Sequence, residues 1–147
     1  MSHYNNKVNN MINKPVEDGY FIIRDDGQPV LLGSYSPASG NTYYPVRKLC
    51  PETSTPVETI ELPIEGVLYS WTYMRMKLIG SQQLTDDGGH GVGQIDLPCG
   101  TRIQSVISGV TGDWKIGMTM RIALYPVADE EGISWCSYCF EPVSGAE

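Results

Sequence analysis

Charge is scarce in this sequence: 18% of its residues are Asp, Glu, Lys or Arg, and 17 acids against 10 bases leave a formal net charge of −7. A polyanion would meet overall repulsion, because nucleic-acid binding draws much of its affinity from lysines and arginines that displace counterions. Stacking aromatics on a barrel face could suit a single strand, but the sign of the charge is wrong for DNA or RNA. Long hydrophobic runs are missing too. No stretch approaches the ~18 apolar residues of a membrane span, and MSHYNNKVNN has neither a basic region nor an apolar one of the kind that opens a signal peptide. A soluble, cytoplasmic chain without a membrane partner is expected. The four cysteines, Cys50, Cys99, Cys136 and Cys139, are too few for a disulfide scaffold in 147 residues and are read as reduced thiols. Histidine is nearly absent, with His90 alone outside the extreme N-terminus.

What the chain has instead is 16 glycines, 10 prolines and 41% hydrophobic residues, distributed as short segments between turns. That pattern predicts an all-β protein. Residues 1–19 are polar and asparagine-rich; Tyr4, Val8, Met11 and Ile12 fall at helical spacing, so this part is a short docked helix or a tail. Tyr20–Ile23 and Val30–Leu32 flank an Asp26-Gly27 turn and form a hairpin. Val57–Leu62 alternates and closes a small subdomain over residues 20–63. From 64 to 147 the pattern becomes regular. Gly66–Met74 is uncharged and aromatic-rich, as a long curving strand requires. Gly91–Leu97 and Thr101–Ile107 are joined by a Pro98-Cys99-Gly100 turn, and Met118–Tyr125 and Ile133–Pro142 follow. Five strands of this spacing predict a Greek-key barrel of the OB type. The segment from Arg75 to His90 is long for a loop in such a barrel, and loops of that length commonly carry function.

The subdomain is organised around Gly33–Thr53, GSYSPASGNTYYPVRKLCPET. It has the skeleton of a two-knuckle zinc ribbon: Ser36-Pro37-Ala38-Ser39-Gly40, then Tyr44-Pro45-Val46-Arg47, then Cys50-Pro51-Glu52-Thr53. A structural zinc site needs four soft donors in two close pairs, and hydroxyls are poor substitutes for thiolates. With cysteine at Cys50 alone, the knuckles are expected to fold without metal. Cys136-x-x-Cys139 has metal-like spacing, but on a strand two residues three apart point to opposite faces. His90 and Cys99 lie at opposite ends of one predicted strand, too far apart for a Cys–His dyad. No catalytic residue is assigned.

With these segments in order, the chain resembles the acyl-CoA-associated OB-fold family, in which a rubredoxin-like zinc ribbon precedes an OB domain. The resemblance runs over about residues 30 to 143. It rests on the two knuckles and the aromatic-Pro-x-Arg strand between them, on Gly66–Thr72 as first barrel strand, on Lys115-Ile116-Gly117-Met118 as a connector, and on Phe140-Glu141-Pro142-Val143 as closing segment. The chain departs from the family at Ser36, Ser39 and Thr53, where cysteines are expected.

The resemblance implies a non-catalytic accessory subunit of an acyl-CoA thiolase complex, which binds a thiolase-like catalytic subunit and helps to hold acyl-CoA. Thiolysis of aromatic or branched β-ketoacyl-CoA, or service to an acyl-CoA aldolase or acyltransferase, would each fit it. A stand-alone OB-fold ligand-binding or scaffolding protein is the alternative. Coenzyme A, as the substrate's carrier, presents phosphates and an adenine ring, so its contacts need positive charge beside an aromatic shelf. Two basic pairs meet that requirement: Arg47 and Lys48 behind Tyr43 and Tyr44, and Arg75 with Lys77 at the mouth of the long loop.

Overall fold

A computed structural model describes residues 12–76 and 89–143. Ten strands are formed among them: β1 (Ile12–Pro15), β2 (Phe21–Ile23), β3 (Pro29–Tyr35), β4 (Thr42–Tyr43), β5 (Glu58–Glu61), β6 (Glu65–Met74), β7 (His90–Asp96), β8 (Arg102–Ile107), β9 (Thr119–Glu130) and β10 (Ile133–Pro142). A single 3-10 turn, Thr111–Asp113, interrupts them.

Strands β6 to β10 close on themselves. The spatial order is β10-β8-β7-β6-β9, and β9 pairs back with β10. β8 is followed in sequence by β9 but lies in space beside β10, to which it runs parallel through Phe140 and Ile107. This Greek-key crossing is what the five alternating segments predict, and the barrel is of OB type. Each strand turns its alternate residues inward: Leu68, Ile95, Ile103, Ile107, Met120, Ile122 and Phe140 are all at most 2% exposed. At roughly 1.5–3 kcal/mol per buried side chain of this size, they are the main stabilising term.

One register slip in β6 decides which aromatics stay outside. Leu68 faces Ile95 but Ser70 faces Gln94, so Tyr69 is an extra residue in the ladder. A one-residue slip exchanges the faces of everything beyond it. Tyr69 therefore stays outside, with the Arg102 guanidinium 3.5 Å from its ring centre. Trp71 and Tyr73 turn in against Trp114, at centroid distances of 5.2 and 6.3 Å. Gly91 permits this packing, because a Cβ there would lie 2.3 Å from the Trp114 ring.

The smaller part is a sheet centred on β3, which pairs with β2, β4 and β5. The Asp26-Gly27 turn sits between β2 and β3 as the dipeptide predicts, with Gly27 at φ 90°. Phe21, Leu31 and Leu62 from this sheet belong to the same core cluster as the barrel residues, so the apolar interior is continuous across both parts. Thr101 at the β7–β8 turn adds a bond to the Thr42 carbonyl, 3.1 Å.

Within the N-terminal segment, Ile12–Pro15 is a strand rather than part of the expected helix or tail. Ile12, assigned to the apolar stripe of a helix, instead opens β1, which runs parallel to the first half of β10. The reason is an unpaired ladder: the β9–β10 hairpin extends beyond β8, and β1 takes up the edge that β8 leaves. Tyr4, Val8 and Met11 lie outside the described residues, as does most of the long loop, Lys77 included.

Candidate functional site

The two segments expected as knuckles, Ser36–Gly40 and Cys50–Thr53, each form a hydrogen-bonded turn. Ser36 takes the place of the first ligand, fully buried, with its Oγ accepting from the Ser39 amide at 3.1 Å and its carbonyl from the Gly40 amide at 2.7 Å. The second knuckle closes through the Ser54 amide on the Cys50 carbonyl, 2.8 Å. Between them lies the Cys50 thiol, 1% exposed, with Ser39 Oγ and the Tyr43 phenol oxygen each 3.7 Å from its sulfur. Burial pushes this thiol up, but hydrogen bonds from the Ser36 and Thr53 hydroxyls and from the Glu52 and Thr53 amides outweigh it and lower it to about 6. Tyr43 also donates to Glu52, which takes a further bond from Asn41 at 2.7 Å; together they hold the Glu52 carboxyl below its usual range. The hydroxyls of Ser36, Ser39 and Thr53 thus converge on the sulfur of Cys50. Among the described residues no group of three His, Cys, Asp or Glu is arranged to hold a metal ion.

The proposed coenzyme contacts fall in different places. All five arginines are described, and three form ion pairs: Arg24 with Glu61, Arg102 with Asp96 and Arg121 with Glu65. The two singled out from the sequence lie instead over tyrosine rings, Arg47 at 5.7 Å from the Tyr43 centroid and Arg75 at 5.6 Å from that of Tyr73. Both are exposed, as is Lys48. They do not form one site. Thr42 and the β7–β8 turn lie together beside Arg47, whereas Arg75 follows Met74, which pairs with His90 at the opposite end of β7. Seven residues of β7 separate those ends, about 23 Å at ~3.3 Å per residue.

Tyr44 parts company with Tyr43. It turns into a cleft of about 460 Å³ between the smaller sheet and the barrel, where Tyr20, Phe21, Tyr125 and Tyr138 also present their rings. The Tyr44 and Tyr138 phenols share a hydrogen bond of 2.8 Å, and burial pushes both above the usual tyrosine range. Of these residues only Tyr44 was marked by the sequence. The others come from three separate segments, and three of the four share only the signal of an excess of tyrosine, nine in the chain.

The remaining candidate groups are held in structural roles. His90 is buried, with Nδ1 2.9 Å from the Met76 carbonyl. Cys99 is exposed on its turn, 3.5 Å from the Thr101 hydroxyl and at the other end of β7 from His90. The Cys136 thiol faces the Ser134 carbonyl at 3.3 Å, and burial pushes the Cys139 thiol up to about 12.

A five-stranded OB barrel joined to a small sheet centred on β3 defines the architecture. No known family profile matches the chain, and no curated protein does. Among solved structures, it is similar to a chain of the Ltp2-ChsH2(DUF35) aldolase, with 20% identity and a TM-score of 0.59 over 77% of this chain and 84% of that one. A DUF35-family protein of unknown function from Sulfolobus solfataricus is a weaker match, 20% identical with a TM-score of 0.46 over 63% of this chain and 67% of the other. The first of these shares the fold.

Proposed function

We propose that the chain is an accessory subunit of an acyl-CoA-processing complex, with no catalytic centre of its own, that binds a thiolase-like catalytic subunit and helps to hold the acyl-CoA. The observation that carries this reading is the pairing of parts. A small sheet is joined by a continuous core to an OB barrel in this chain, whose fold is similar over 77% of its length to a chain of the Ltp2-ChsH2(DUF35) aldolase. The buried or distant placement of His90, Cys99, Cys136 and Cys139 agrees with a supporting role. Exposed Arg47 and Lys48 beside Tyr43, and Arg75 beside Tyr73, are the residues offered to the phosphates and adenine of coenzyme A.

Two reactions fit such a complex: thiolysis of a β-ketoacyl-CoA, and aldol cleavage of a β-hydroxyacyl-CoA, which the likeness to an aldolase chain favours. Co-expression with a candidate thiolase-like catalytic subunit tests the reading. A stable hetero-oligomer that acts on either substrate, with neither chain active alone, is the expected result. A monomer that forms no complex, or a partner fully active by itself, would overturn it.

A further inference from the structure

The cleft between the two parts has a composition of its own. Its rings belong to Tyr20, Phe21, Tyr44, Tyr125 and Tyr138, and its one charged residue is Glu17. Among the described residues, no lysine or arginine lines it. The basic residues nearest in sequence, Lys14, Arg47, Lys48 and Arg102, are not among its lining residues, and the guanidiniums of Arg47 and Arg102 lie over the Tyr43 and Tyr69 rings. Tyr138 is met edge-on by Phe21 at 5.7 Å and by Tyr44 at 6.4 Å, which fixes three rings around one space. The phenols of Tyr44 and Tyr138 are engaged with each other, and the charge of Glu17 and the phenol of Tyr20 are both close enough to act on Tyr44.

Ring faces are electron-rich, and a carboxylate at the rim adds a full negative charge. A phosphate or carboxylate ligand would be repelled here. A neutral ligand would gain apolar contact only, whereas an organic cation gains that contact together with ring and carboxylate attraction. The volume, about 460 Å³, is ample for a small molecule.

We propose that this cleft is a binding site for a small alkylammonium compound, with the tyrosine rings as its cage and Glu17 as its counter-charge. The site is separate from exposed Arg47 and Arg75, the residues offered to coenzyme A, and its fate does not bear on the accessory-subunit reading.

Choline is the probe, set against its neutral isostere in which a tert-butyl group replaces the trimethylammonium, both titrated into the purified chain while the tyrosine ring resonances are followed by NMR. Choline should shift Tyr20, Tyr44 and Tyr138 saturably in the millimolar range, and the neutral isostere should bind about tenfold more weakly. Glu17→Gln and Tyr20→Leu should each weaken choline severalfold. Both positions are exposed, so the fold is retained, which an unchanged amide spectrum verifies. Equal or tighter binding of the neutral isostere, shifts that never saturate, or wild-type choline affinity in both variants would overturn the proposal.

Discussion

Tyr44 and Tyr138 stand 94 positions apart and share a 2.8 Å hydrogen bond between their phenols, joining the ribbon-like part to the last barrel strand. Removing either hydroxyl leaves the other without its partner. Tyr44→Phe and Tyr138→Phe should each lower stability by about 1 kcal/mol, and the double variant by less than the sum, since the second change removes a group already orphaned. The same pair makes stability pH-dependent. Both phenols titrate above their ordinary 10.0 in the folded chain because burial disfavours the phenolate. Their contribution is therefore complete below pH ~10 and is lost as pH rises beyond it. Urea midpoints across alkaline pH should fall more steeply for the wild type than for the double variant.

Gly91 gives the sharpest steric prediction. An added Cβ would meet the Trp114 ring at 2.3 Å and the Ile107 side chain at 2.8 Å. The indole cannot easily retreat, because its Nε1 donates to the Ser108 carbonyl at 3.0 Å and Trp71 packs against it. Gly91→Ala should cost about 1–3 kcal/mol by overpacking, read as a lowered melting temperature with the Trp114 fluorescence altered.

Much of the barrel was legible because one-sided burial writes a period of two into sequence. Ile95, Ile103 and Ile107 sit on the buried face that the alternation assigns them. The Asp26-Gly27 turn was legible for a local reason, the backbone freedom of glycine at a positive φ. What local pattern does not carry is pairing across distance. That β1 would lie on β10 depends on how far the β9–β10 hairpin outreaches β8, and the bulge at Tyr69 shows only once β7 is beside β6. The cleft is the extreme case, since Tyr20, Tyr44 and Tyr138 meet only through the docking of two parts.

Cys50 gives a titration opposite in sign to the tyrosines. Its thiol is lowered from 9.0 to about 6 by hydroxyl and amide donors, so the folded chain favours the thiolate. That stabilisation is complete above the unfolded value and disappears as pH falls through about 6. The thiolate absorbance of the native protein should titrate near pH 6, and Cys50→Ala should remove both that transition and the associated slope of stability between pH 6 and 9.

The same cage sets an expectation for zinc. Ser36, Ser39 and Thr53 offer hydroxyls where a ribbon offers thiolates, and Cys136 is held at the Ser134 carbonyl on a strand of its own. One thiolate does not hold the ion at the strength of a structural site. Protein purified from zinc-supplemented medium should carry far less than one equivalent, and a chelator should leave its melting temperature unchanged. A full equivalent, lost together with the fold on chelation, would show that Cys50 recruits other donors.

Arg47 and Arg75 are the arginines without an ion pair among the described residues, each held over a tyrosine ring, and that difference makes them separable by experiment. A charged hydrogen bond to phosphate contributes about 1.5–3 kcal/mol, so Arg47→Ala or Arg75→Ala should weaken acyl-CoA binding to the assembled complex by about tenfold or more if that arginine meets a phosphate. Because the two stand at opposite ends of β7, one extended ligand need not reach both, and a loss confined to one variant marks the end at which the phosphates lie. Arg→Lys at the responding position should recover part of the affinity and retain its salt dependence, since the point charge survives while the planar fork over the ring is lost. Calorimetric titration of the complex with acyl-CoA at two salt concentrations reads all of this. Unchanged affinity in both alanine variants would remove these arginines from the site.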